Sequence, residues 1–151
     1  ALPISILCGS FHPFIEEGVS PREDSSLSST LDAIRELIDS YPGKVSIIAG
    51  VDMSHVGKRF GHELGIPESE LERVEREDRA VLDAMITGNA ETFYQSVEKI
   101  KDRNNICGLS PIYMSLDVAQ ATTGNLLHYD RALEEESESV VTFSSLAYYA
   151  V

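Results

Sequence analysis

The run Val45-Ser-Ile-Ile-Ala-Gly-Val-Asp52 constrains this chain more than any other stretch. Val45, Ile47, Ile48 and Ala49 are apolar, most of them β-branched, with no polar alternation. Such a run predicts a strand buried on both faces, as inside a parallel sheet. Gly50 ends the packing, and Asp52 and His55 follow where the strand would emerge. Open α/β sheets hold ligands beyond the carboxyl ends of their strands. A carboxylate and an imidazole at that edge are therefore the sharpest functional signal in the chain. Spacing alone also supports a plainer reading, in which Asp52 caps a helix starting near Met53 and His55 is a first-turn residue.

Ile4–Gly9 predicts a first strand, and Phe11–Asp24, with two prolines and Gly18, an irregular loop. Leu27, Leu31, Ile34 and Ile38 then recur at helical spacing. Serines at 25, 26, 28 and 29 offer caps, and Tyr41-Pro42-Gly43 a stop. Strand, helix and strand together predict a βαβ unit with a right-handed crossover.

A short helix is predicted after the Asp52-Met-Ser-His55 turn, running to Leu64 before Gly65-Ile66-Pro67. Ser69 and Glu72 have capping-box spacing and open a helix that turns Leu71, Val74, Val81, Leu82, Met85 and Ile86 inward. Gly88 ends it. Asn89 caps the next, with Phe93, Val97 and Ile100 on one face and Arg103-Asn104-Asn105 at its end. Pro111 suits the first turn of a helix to Ala121 whose Ile112, Leu116 and Ala119 face the core. Asn125–Leu133 and Ser139–Val151 read as antiparallel strands joined by the polar run Glu134–Glu138. Residues 1–151 thus read as one α/β domain, a sheet with helices on both faces, long enough for a real core.

Charge narrows the partners. Lys and Arg number 12 against 25 Asp and Glu, a formal charge of −13, which argues against nucleic acid and against an anionic membrane surface. No apolar run approaches the ~20 residues of a membrane span, and no signal-peptide pattern opens the chain. Cys8 and Cys107 read as free thiols in a reducing compartment, which predicts a cytoplasmic location; a disulfide between them is the lesser alternative.

Most other candidate chemistry lacks its context. Gly57-Lys58 lacks phosphate-loop spacing, no nucleophile elbow anchors a Ser–His–acid triad, and no zinc motif joins His55 to His62. His12 reads as a loop histidine and His128 as a strand histidine. Cys107 stands out, directly before a helix N-terminus whose dipole favours a thiolate, at once a nucleophile and a metal ligand. The same residue also reads as a small buried apolar side chain.

Gly50-Val-Asp-Met-Ser-His-Val-Gly57, Asn105-Ile-Cys-Gly108 with Pro111, and Val141-Thr-Phe-Ser-Ser-Leu-Ala-Tyr-Tyr-Ala150 together resemble the Memo family. Its members are described as Memo-like proteins or as the B component of AmmeMemoRadiSam systems. The resemblance runs through essentially the whole chain, and it is to the C-terminal half of the longer family members. It implies a fold similar to class III extradiol dioxygenases, of which this chain is half, and a redox-active metal, iron or copper. It also implies Cys107 as metal ligand, with His55 and Asp52 as catalytic residues and His55 the acid–base group. A soft thiolate suits copper(I) or iron better than magnesium or calcium. The two histidine-bearing motifs of the family's N-terminal half have no counterpart here. The implied partners are that missing half, or a second copy covering the same unpaired strand edge, and a small-molecule or peptide ligand. Two other readings are a non-catalytic binding module using the same cleft and an accessory component of a radical-SAM system.

Overall fold

Helices fill the middle of the chain because its apolar residues recur there three and four apart. The computed structural model describes residues 3–63 and 65–149. Its elements in order are α1 (His12–Glu17), a 3-10 turn (Pro21–Glu23), α2 (Ser25–Ser40), β1 (His55–Gly57), a second 3-10 turn (Lys58–Phe60), α3 (Glu68–Ile86), α4 (Ala90–Lys99), α5 (Leu109–Ala119), β2 (Gly124–Glu134) and β3 (Ser139–Tyr148).

The core lies where α2, α3, α4 and α5 meet. Leu31, Phe93, Val97 and Ile106 are fully buried there. Phe11 and Tyr94 set their rings edge-on to Tyr113 at 5.6 and 6.0 Å, the preferred aromatic geometry. The Tyr94 hydroxyl keeps a partner by donating to Val19 O at 2.8 Å. Arg22 fastens α2 to α5 by bonding Asp32 at 2.7 Å and Asp117 at 2.6 Å. A smaller cluster of Val56, Leu71, Val74 and Val140 seats the start of α3 on the sheet.

That sheet is wholly antiparallel, in the order β1-β3-β2. His55 pairs with Val141 and Gly57 with Ser139, while β2 and β3 form the hairpin expected around Glu134–Glu138. Gly57 has φ +118, and a Cβ there would stand 2.4 Å from Glu138 O, so only glycine lets β1 cross the start of β3. Leu126, Tyr129, Leu146 and Tyr148 turn toward the helices. Leu127, Leu133 and Phe143 remain exposed. Helices therefore cover one face of the sheet, not both.

Several expectations are corrected. Ile4–Gly9 and Val45–Val51 form no strand, and no βαβ unit is present among the described residues. Both segments are open chain whose backbone makes no hydrogen bond among the described residues. Ile6, Leu7 and Ile48 stand 55%, 97% and 87% exposed. A strand exists only through its neighbours, and here neither segment has one. The helix expected after Asp52 is instead β1 and a 3-10 turn, because residues 53–57 bond across to β3; its expected end, Leu64, lies outside the described residues. The loop Phe11–Asp24 holds α1, opened by Pro13, and a 3-10 turn opened by a Ser20/Glu23 capping box.

Capping also differs. Asp24, not a serine, caps α2 by accepting Leu27 N at 2.7 Å. The α3 helix begins after Pro67 without a side-chain cap. The α5 helix stops at Ala119, which is exposed, because Gln120 turns left-handed. Asn89 caps α4 as expected, accepting Thr92 N at 2.8 Å. Val151, the expected end of the last strand, lies outside the described residues. No described helix is long and apolar enough to cross a membrane.

Candidate functional site

Asp52 and His55 are held by the edge of the sheet. Met53 N donates to Thr142 O and Thr142 N to Ser54 O, both at 2.9 Å. Met53 and Val56 are buried at 2% and 1%, so this short segment cannot slide. The outward residues beside those anchors then have fixed positions, Asp52 exposed just before Met53 and His55 half-buried just before Val56. His55 stands edge-on to Phe60 at 4.9 Å.

Cys107 arrives from the other side, on the loop joining α4 to α5. Lys101, Asp102 and Asn105 take left-handed φ of 52, 43 and 51. Each such non-glycine residue costs on the order of 1 kcal/mol and persists only where surrounding bonds impose it. Those bonds are present. His55 N donates to Asn104 O at 2.7 Å, and Asn105 Nδ2 donates to His55 O at 3.2 Å. Arg73 donates to Asn104 Oδ1 at 2.9 Å, and Glu77 pairs with Arg103. Ile106, fully buried, pins the turn, and Cys107 Sγ donates to Asp52 O at 3.6 Å.

The side chains of Asp52, His55 and Cys107 therefore converge, with one donor atom from each lying within 4.8 Å of the others. The His55 tautomer can be derived from its partners. Nδ1 lies 3.0 Å from Met53 O, so it carries the proton and Nε2 presents its lone pair. Nε2 points toward Asp52 Oδ2 at 3.9 Å. Two electron-rich atoms and a thiol thus face one small space, an arrangement a cation relieves. Thiolate, imidazole and carboxylate together suit iron, copper or zinc rather than a hard alkaline-earth ion.

The Cys107 thiol departs from expectation. Burial, with the Asp52 and Asp102 carboxylates, pushes it up, while its bond to Asp52 O pulls the other way. A bound cation reverses that balance, since coordination deprotonates a thiol outright.

Sequence reasoning missed three buried carboxylates, Asp117 on α5 beside Arg22 and two nearer the site. Asp102, under the site loop, meets His12. Asp78, fully buried in α3, accepts from Ser54 Oγ at 2.5 Å and Tyr129 OH at 2.8 Å. Asp78 follows Val74 by four residues and precedes Val81 by three, so its place on the apolar stripe was readable. Asp102, in Lys-Asp-Arg, gave no such signal.

A mixed helix–sheet chain with thiol, imidazole and carboxylate converging at one sheet edge defines a candidate metal protein. A sequence model of the family described as Memo-like protein matches residues 19–147, most of the chain, and the chain belongs to that family. The matched residues contain Asp52, His55 and Cys107 and begin after Ser10 and His12. No curated protein matches the chain.

Proposed function

We propose that Asp52, His55 and Cys107 form the metal-binding face of a Memo-like protein that performs redox chemistry on a small molecule, resembling the non-haem-iron dioxygenases. The observation that carries this reading is the convergence of three chemically different donors within 4.8 Å. Cys107 would anchor iron or copper. His55 and Asp52 would complete the site or serve as acid–base groups beside it. A bound ion would supply Lewis acidity and one-electron chemistry at the sheet edge. His55 can take a proton at Nε2 because Met53 O holds the proton on Nδ1. Asp52, close by and exposed, stabilises the imidazolium that results.

Three residues from one edge make a weak site, so the ion should be lost on purification and titrate back at one per chain. Anaerobic titration with iron(II) and copper(I) against a chromophoric chelator tests this. Cys107→Ser should weaken binding by about 10–100-fold. Equal binding by the wild type and Cys107→Ser would overturn the assignment.

A second reading concerns what covers the open segments. Ile4–Gly9 and Val45–Val51 have strand composition, exposed apolar side chains and unbonded backbone among the described residues. They fit completion of the sheet by further strands, from the N-terminal half that the family resemblance implies or from a second copy. Hydrogen exchange and light scattering on the chain alone test it. The amides of Ile4–Cys8 and Val45–Ala49 should exchange fast in the monomer and gain protection only on association. Slow exchange in a clean monomer would exclude this reading.

A further inference from the structure

Asp102 lies far from Ser10 and His12 in the sequence, yet the fold sets the three side by side. Ser10 Oγ is 2.9 Å from His12 Nδ1, and His12 Nε2 meets Asp102 Oδ2. Asp102 is only 4% exposed. Its other oxygen accepts Ile106 N at 2.8 Å, while Oδ2 is left without an aligned hydrogen bond among the described residues, with His12 Nε2 the cationic or donor group that approaches it. Counting protons fixes the direction of the chain. A buried carboxylate accepts, so Nε2 carries the proton; Nδ1 then presents a lone pair, and the Ser10 hydroxyl is the donor that meets it. Ser10 Oγ also accepts His12 N at 3.3 Å, the ordinary turn that opens a helix. A local serine turn explains that bond, but it does not call for a buried aspartate behind the ring.

Ser10 and His12 open onto a cavity of about 430 Å³ that Ile6, Ile48, Val51 and Ser110 also line. It is an open cleft between the two unpaired segments, with room for a short acyl chain. Ser110, 6% exposed, accepts Phe11 N at 3.0 Å and keeps its own proton for an oxygen in the cavity. It stands in the first turn of α5, whose dipole adds positive potential where negative charge would develop.

We propose that Ser10, His12 and Asp102 form a nucleophilic relay that hydrolyses esters of short acyl groups. The relay uses none of the three proposed metal donors, although Cys107 lines the same cavity. Ser10 Oγ adds to the ester carbonyl carbon while its proton passes to His12 Nδ1, forming a tetrahedral oxyanion. That intermediate collapses, the C–O bond to the alcohol breaks, and His12 returns the proton to the departing alkoxide. Water then attacks the acyl–Ser10 ester, again giving a proton to Nδ1. Carboxylic acid is released and Ser10 regains its hydrogen. Ser10 and His12 are the catalytic residues; Asp102 is a positioning residue that holds the tautomer.

Turnover of p-nitrophenyl acetate by the chain in excess EDTA tests the relay, together with intact-mass and peptide mapping after treatment with a fluorophosphonate. A single adduct on Ser10 is expected, absent in His12→Ala. Turnover should fall at least about 100-fold in Ser10→Ala and in His12→Ala. Asp102→Asn should lower kcat with KM held, a split that general loosening would not produce. Ser10 is exposed, so Ser10→Ala reports on chemistry even if a change at Asp102 prevents folding. Wild-type turnover in Ser10→Ala, an adduct elsewhere, or loss of turnover in EDTA would each overturn the proposal.

Discussion

Asp78→Ala is expected to remove about 3 kcal/mol of stability, lowering the melting temperature by roughly 6–12 °C for a domain of this size. The carboxylate is the shared acceptor for Ser54, Thr142 and Tyr129. Ser54 and Thr142 are 0% and 1% exposed, so their hydroxyls cannot turn to water when the acceptor goes. Each buried polar group left unpaired costs about 1–3 kcal/mol, and Tyr129, partly open, accounts for the smaller share. Urea and thermal melts decide the matter. A change below about 1 kcal/mol would mean that the cluster relaxes around the gap.

The same carboxyl gives the stability curve a sign. Burial raises its pKa above the ordinary 3.8, while hydrogen bonds from Ser54, Thr142 and Tyr129 pull it down. The folded value lies above the unfolded one, so the native state binds the proton more tightly. That contribution is complete below 3.8 and is lost as pH rises through the folded value. Asp102, raised by burial, acts with the same sign. Glu70, lowered by its bond to Arg73, acts with the opposite sign. Asp78→Asn should therefore flatten the decline of unfolding free energy above 3.8.

Local physics was legible in the sequence, and pairing was not. The stripe of Leu71, Val74, Val81, Leu82 and Met85 becomes the buried face of α3 because a helix makes its own hydrogen bonds within the segment. The hairpin of β2 and β3 was readable for a related reason, since its two strands are neighbours in the chain. Val45–Val51 has strand composition but no neighbour to bond, so composition misled there. The converse holds for His55–Gly57, which has little strand character and pairs only because β3 reaches it. The meeting of Asp52 and His55 with Cys107 was anticipated from two family-like motifs, not from periodicity. The contact of His12 with Asp102 depends on left-handed turns at Lys101 and Asp102 that no residue type there announces.

Gly108→Ala should damage metal binding while leaving every donor in place. Gly108 has φ −74, so alanine meets no backbone strain, and the effect is one of space. A Cβ there would stand 2.6 Å from Asp52 O, 2.7 Å from Ile112 Cδ1 and 2.9 Å from Val51 Cγ2. The two methyl groups can turn aside. Asp52 O is backbone, and it is also the atom that receives the Cys107 thiol. Relief must therefore come from widening the separation between the Asp52 and Cys107 segments. Overpacking of this kind costs about 1–3 kcal/mol, which a marginally stable domain survives. Misplacing donors that are otherwise intact should weaken iron(II) or copper(I) binding by about 10–100-fold, comparable to removing a supporting contact. Gly50→Ala is the matched control, because a Cβ there meets nothing within 4 Å. Chelator competition on the two variants gives the answer. Wild-type affinity in Gly108→Ala would show that the spacing of Asp52 and Cys107 does not set the site, and the three-donor assignment would fall with it.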